Sequence, residues 1–192
     1  METIYDAIYE KAKPYLNTRQ NDVHIPMAYE FGLRLVAFYP QADRDIVLPA
    51  IILHDVGWKM VPEEQQVNAF GPDATDMETQ RTHEVEGVKI AAWILASVGY
   101  DEEKTREIVT IIEGHDSRPE ALSLNDALVK DADKLCRFTP VGVDMDYVRF
   151  RVGRDYHLRR LATFIDGYFF TAKAKEMARS ALAEAGRVDR VD

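Results

Sequence analysis

The stretch Ile46-Val47-Leu48-Pro49-Ala50-Ile51-Ile52-Leu53-His54-Asp55-Val56-Gly57-Trp58-Lys59 joins eight apolar residues to a His-Asp pair, a glycine and a lysine. An imidazole and a carboxylate at the end of such a segment are costly to bury unless something compensates their charge. A divalent metal ion would compensate it. The pairing of imidazole with carboxylate suits Zn, Fe, Mn or Co.

Outward from this stretch the pattern is helical nearly throughout. The stretch itself belongs to a helix over about 42–55 that stops at Gly57, with Pro49 placed to kink it. Upstream, one helix covers about 2–15 and ends near Pro14. A second begins after Asn21-Asp22, with Asp22 as its cap, Pro26 in its first turn and a buried stripe of His24, Ala28, Phe31, Leu35 and Phe38. Downstream, residues 60–76 hold Pro62, Gly71 and Pro72 and read as a loop placed to form a lid. A helix over about 77–98 ends at Gly99, and Asp101 caps the next, which runs to about Gly114. The turn Asp116-Ser117-Arg118-Pro119 leads to a helix from about Ser123 to Phe138. Pro140 marks a break, and two further helices fill about 144–185. No strand pattern, repeat or low-complexity tract is present. The expected fold class is all-α: one domain over 1–192, a helical bundle with its site-bearing core at about 20–138 and a C-terminal helical extension.

With 33 acidic against 24 basic residues, the formal net charge is −9, which argues against a general nucleic-acid surface. Cys136 is the only cysteine, which fits a reducing compartment. The start lacks the basic and apolar segments of a leader peptide. No apolar run reaches the roughly 20 residues that span a bilayer. The expectation is a cytoplasmic protein without a membrane partner. Arg149, Arg151, Arg154, Arg159 and Arg160, beside Tyr147, Phe150 and Tyr156, read as a solvated face, with nucleotide binding as the alternative. His157 in this segment reads as a surface histidine. Phe164, Tyr168, Phe169 and Phe170 read as core packing at the start of the last helix, with a homodimer interface as the alternative.

Four of the five histidines lie on apolar helical stripes. His24 has the stripe named above. His54 follows Val47, Ala50 and Ile51. His83 lies with Gly87, Ile90 and Ile94, and His115 follows Ile108, Ile111 and Ile112. A lone histidine on an apolar face is commonly a satisfied core residue. Four of them beside Asp55 suggest ligands drawn from several helices to one site, a known construction in bundles. Composition and periodicity leave both readings open.

These residues together resemble the HD-domain superfamily of metal-dependent phosphohydrolases over roughly 20–138. The resemblance is carried by His24, by the His54-Asp55 pair, and by an aspartate within Val129-Lys130-Asp131-Ala132-Asp133-Lys134-Leu135. Periodicity does not choose between Asp131 and Asp133, which flank the inward stripe on opposite sides. The family's Ala-Asp-x-Leu pattern aligns with Asp133, leaving Asp131 as a cap-like or solvated carboxylate or a partner of a histidine. Thr82-His83-Glu84 and His115-Asp116 resemble the extra histidines of the dinuclear subgroups. The resemblance implies two divalent transition metals (Fe, Mn, Co, Ni or Zn). His24, His54, Asp55 and Asp133 would hold one, and Asp55 would bridge to a second held by His83 and His115. It implies attack of a metal-bridging hydroxide on a small phosphorylated substrate such as a nucleotide. Lys59 would bind phosphate, although Trp58 is inserted before it relative to the family's His-Asp-x-Gly-Lys run. Asp116 would orient the nucleophile or protonate the leaving oxygen, or serve only as a turn carboxylate. Di-iron oxygenases built on the same framework, and a non-catalytic regulatory module, are the alternatives.

Overall fold

The computed structural model describes residues 3–66, 68–69 and 75–187. Among them the chain forms α1 (Ile4–Leu16), α2 (Asn21–Phe38), α3 (Arg44–Leu53), a 3-10 turn (Val56–Met60), the short α4 (Glu63–Gln66), α5 (Met77–Ser97), α6 (Glu102–Ile112), α7 (Leu124–Leu135), a second 3-10 turn (Cys136–Phe138), α8 (Pro140–Arg149), α9 (Arg154–Tyr168) and α10 (Ala172–Ala185). No strand occurs among the described residues, so the all-α reading holds.

Side-chain caps fix most helix starts. Asp43, Asp76, Asp101, Ser123, Thr139 and Thr171 each accept a backbone N–H of the following first turn. Thr3 and Asp6 form a reciprocal capping box on α1. Gly99, with φ of 67°, ends α5: its N–H reaches Ala96 O while Tyr100 N–H reaches Leu95 O at 3.0 Å.

The opening stretch lies at the centre of the molecule. Every residue from Ile46 to Leu53 is buried, and α3 packs against α1, α2, α6 and α7. An apolar run with no polar face is what a helix surrounded on all sides requires. Pro49 does not end α3. It lacks the N–H that Asp45 O would accept, and the Tyr100 hydroxyl donates to that carbonyl instead, at 2.5 Å. Leu35, Leu53, Ile94, Ile112, Leu128 and Phe138 belong to the same core.

Several local expectations are corrected. α2 begins at Asn21, with Gln20 in the left-handed region at its N-cap; Asp22 is inside the helix, and Pro26 lies beyond the first turn. Phe38, at the last position of α2, is exposed rather than buried. The 60–76 segment contains α4, whose Gln66 donates to the carbonyls of Val61 and Trp58 at 2.8 and 3.2 Å. Residues 67 and 70–74 of the expected lid lie outside the described residues. The C-terminal part holds three helices, not two, because Pro140 opens α8 at its first position, where its missing N–H costs nothing. His157 is buried on the α9 stripe with Leu161 and Ile165. Phe164 and Tyr168 end α9 rather than open α10, and Phe169 packs on Phe138 at 5.1 Å. No helix of the described residues is long and apolar enough to cross a membrane.

Candidate metal centre

Five segments converge on one point. His24 comes from the first turn of α2, and His54 and Asp55 from the end of α3. His83 comes from α5, His115 and Asp116 from the turn after α6, and Asp133 from α7. Gly57 makes the convergence possible. A Cβ there would stand 1.9 Å from His83 O and 2.4 Å from Gly87 N, so only glycine lets the 3-10 turn press onto α5.

His24 Nε2 lies 3.3 Å from His54 Nε2 and 3.1 Å from Asp133 Oδ1. His83 Nε2 lies 3.3 Å from His115 Nε2. Asp55 sits between the two pairs, with Oδ1 3.7 Å from His54 Nε2 and 3.6 Å from His115 Nε2. Asp116 Oδ2 approaches His83 and His115 Nε2 at 3.7 and 3.9 Å. These atoms make three overlapping groups that could hold a metal ion: His24, His54 and Asp133; His54, Asp55 and His115; His83, His115 and Asp116. Asp116 thus joins a candidate ligand group, a place the sequence reading did not give it.

The donor chemistry fits an ion. His54 and His115 each direct Nδ1 at a backbone carbonyl, Ile51 O at 2.8 Å and Ile112 O at 2.9 Å. Nδ1 therefore carries a proton, and each Nε2 is the ring atom turned toward the centre. Two donors about 2 Å from one ion at tetrahedral angles stand about 3–3.5 Å apart, which is the spacing of the Nε2 pairs. Burial, and then neighbouring His115, hold the His83 imidazole well below its ordinary pKa, so it offers a lone pair. Burial alone would also lower His115, but Asp116, Asp55 and Glu84 outweigh it and raise it to about 10. Burial would raise Asp55, yet His54 and Arg19 keep it well below the carboxylate range. This concentration of negative charge is what a divalent cation would meet.

The centre opens into a cavity of about 50 Å³. His24, Asp55, Asp116 and Asp133 line it together with Arg19, Arg137 and Arg149. Asp146 orients two of these arginines, 2.9 Å from Arg137 and 3.4 Å from Arg149. Arg149 also donates to Arg19 O at 2.9 Å and Gln20 Oε1 at 3.1 Å. That contact braces Arg19 and Gln20, whose φ angles of 53° and 62° are unfavourable for side-chain-bearing residues. The left-handed turn puts the Arg19 guanidinium 3.7 Å from Asp55 Oδ2.

Lys59 is not brought to the cavity. It is exposed and donates to Asn17 Oδ1 at 2.8 Å. In a 3-10 turn each residue rotates by about a third of a circle, so the buried Trp58 turns its successor outward. Arg151, Arg154, Arg159 and Arg160 do not line the cavity either, whereas Arg149 does. Asp131 is buried and anchors the segment leading into α10, accepting from Phe170 N–H at 2.8 Å and from Thr171 N–H at 2.9 Å. Asp133 is left to face His24 and His54, as the alignment implied.

The sequence reading missed Arg19, Arg137 and Glu84. Buried Glu84 accepts from Asp116 N–H at 3.0 Å, Ser117 N–H at 2.8 Å and Ser117 Oγ at 2.6 Å. It ties the turn bearing His115 and Asp116 to α5. Its place immediately after a candidate ligand was the one available signal.

A family model described as the HD domain matches residues 23–137. A crystal structure of a predicted HD superfamily hydrolase from an uncultured Thermotogales bacterium superposes with a TM-score of 0.63 at 16% identity, covering 95% of this chain and 87% of that one. No curated protein matches the sequence.

Proposed function

The chain belongs to the HD-domain family, and on that premise we propose that it is a metal-dependent phosphohydrolase of small phosphate esters, nucleotides included. The observation that carries this reading is the meeting of one cluster of imidazoles and carboxylates with three arginines in the lining of a single small cavity. In this reading His24, His54, Asp55 and Asp133 hold one divalent transition metal, and Asp55, His83 and His115 hold a second. When bound, such ions supply Lewis-acid polarisation of a phosphoryl group and a water of lowered pKa.

The remaining work falls to the chain's own side chains. Phosphoryl transfer asks chiefly for positioning and charge stabilisation. Arg19 and Arg149, with Arg137 beside them, are placed to grip phosphoryl oxygens through planar, forked N–H donors. Asp146 holds two of those forks in place. Asp116 lines the same cavity, where its carboxylate completes the second ligand group or passes a proton to the leaving oxygen. The positive charge expected from Lys59 is assigned instead to these arginines.

A panel of phosphate monoesters and diesters, assayed with added Mn²⁺, Fe²⁺ or Co²⁺, tests the reading. Hydrolysis that a chelator abolishes and Asp55→Ala lacks is the expected result. No turnover of any ester by the metal-loaded protein would reject it. Metal-dependent O₂ consumption in its place would favour the di-iron oxygenase alternative, which can share this ligand set.

A further inference from the structure

Trp58 stands where the sequence has one residue more than the resemblance leads one to expect. It is fully buried, and three separate contacts tie it to the centre. Its indole lies over the His83 imidazole with ring centroids 3.9 Å apart and planes 12° from parallel. Its Nε1–H donates to Asp55 Oδ1 at 3.0 Å. Its ring also carries the Arg19 guanidinium at 4.0 Å.

We propose that Trp58 is a positioning residue of the metal centre, fixing the Asp55 carboxylate through its N–H and the His83 imidazole through its ring. The inference rests on the metal-centre reading above. A metal-binding imidazole is ordinarily oriented by a hydrogen bond from its other nitrogen. His54 and His115 have such bonds to backbone carbonyls. His83 does not: its buried Nδ1 has no hydrogen-bond partner among the described residues. The face of Trp58 is the contact that sets the plane of this ring. The same side chain sets the torsion of Asp55 by holding Oδ1. One rigid group therefore aligns two ligands of the second ion, one from the end of α3 and one from α5. A residue that only filled space would need neither an N–H aimed at a ligand carboxylate nor a near-parallel stack on a ligand ring.

The test separates the N–H from the shape. Trp58 is replaced by benzothienylalanine, which keeps the two fused rings and puts sulfur where the N–H was, and in a second protein by phenylalanine. Each metal-free protein is melted and then titrated with Co²⁺, followed by visible absorption and equilibrium dialysis. The benzothienylalanine protein is expected to melt within a few degrees of the native protein. Its affinity for at least one Co²⁺ should fall about 10–100-fold, the usual cost of losing a ligand's supporting contact, with an altered absorption band. Trp58→Phe should lose at least as much. Native-like affinity and an unchanged band in the benzothienylalanine protein would overturn the role of the Trp58 N–H, and the same result in Trp58→Phe would overturn that of its ring; either leaves the metal centre standing. Less than one Co²⁺ bound by the native protein would overturn both.

Discussion

Asp55 is the carboxylate on which most contacts of the centre converge: His54, His115, His24, Arg19 and Trp58 all approach it. Asp55→Ala is expected to lower metal affinity, and hydrolysis with it, by at least about 100-fold, since even supporting contacts outside the ligand set are worth 10–100-fold. Isothermal titration with Mn²⁺ and a phosphatase assay measure both. Glu84→Gln should act more gently. It keeps one acceptor but loses the charge that holds Asp116 and Ser117 N–H, costing about 1–3 kcal/mol of stability in urea melts and loosening the turn that carries His115. His24, His54, His83 and His115 were readable because each sits on the inward stripe of a helical pattern. Asp133 became distinct from Asp131 only when α10 claimed Asp131 from about forty residues away, a contact that no local spacing encodes. Arg19 was unreadable for a different reason: its place depends on two successive left-handed residues, and neither is a glycine. The place of Lys59 was carried over from the family's His-Asp-x-Gly-Lys run, and the inserted Trp58 in a 3-10 turn sends it outward instead.

At the scale of elements, the join between the 3-10 turn and α5 sets the geometry of the site. Gly57 was read as a helix stop; the structure gives it a second duty, the close approach to His83 O and Gly87 N. Gly57→Ala would push backbone against backbone, which cannot rearrange as a flexible side chain can. A loss of about 3 kcal/mol or more in urea denaturation is expected, together with weaker metal binding as Asp55 and Trp58 are lifted off α5. Tyr100→Phe removes the donor to the carbonyl that Pro49 leaves without a helical partner. It should cost about 0.5–1.5 kcal/mol in the same measurement without changing metal affinity. Helix existence was legible from apolar period and caps, as Asp101 and Ser123 show. Among the prolines, Pro26 and Pro49 lie inside helices as read, whereas Pro140, read as a break, begins α8 because first-turn geometry absorbs its missing N–H.

For the whole molecule, α3 is the axis around which α1, α2, α6 and α7 pack, and it delivers His54 and Asp55 to the centre. The bundle and the site are therefore one construction, and metal binding must couple to folding. An ion that binds only the folded chain, present about 100-fold above its dissociation constant, adds about 2.7 kcal/mol. Chelation should then lower the thermal midpoint by roughly 5–10 °C for a chain of this size, read by calorimetry with and without Mn²⁺. Overall class was legible in the sequence because an all-apolar segment flanked by amphipathic helices has few other ways to be buried. The arginine cluster was not, because it assembles from the α1–α2 turn, the second 3-10 turn and α8. The central claim, a two-ion centre built on Asp55, is tested most directly by elemental analysis of protein reconstituted with Mn²⁺ or Co²⁺ and freed of loosely bound metal. Two ions per native chain, and fewer than two in Asp55→Ala, are expected; fewer than one ion per native chain would contradict it.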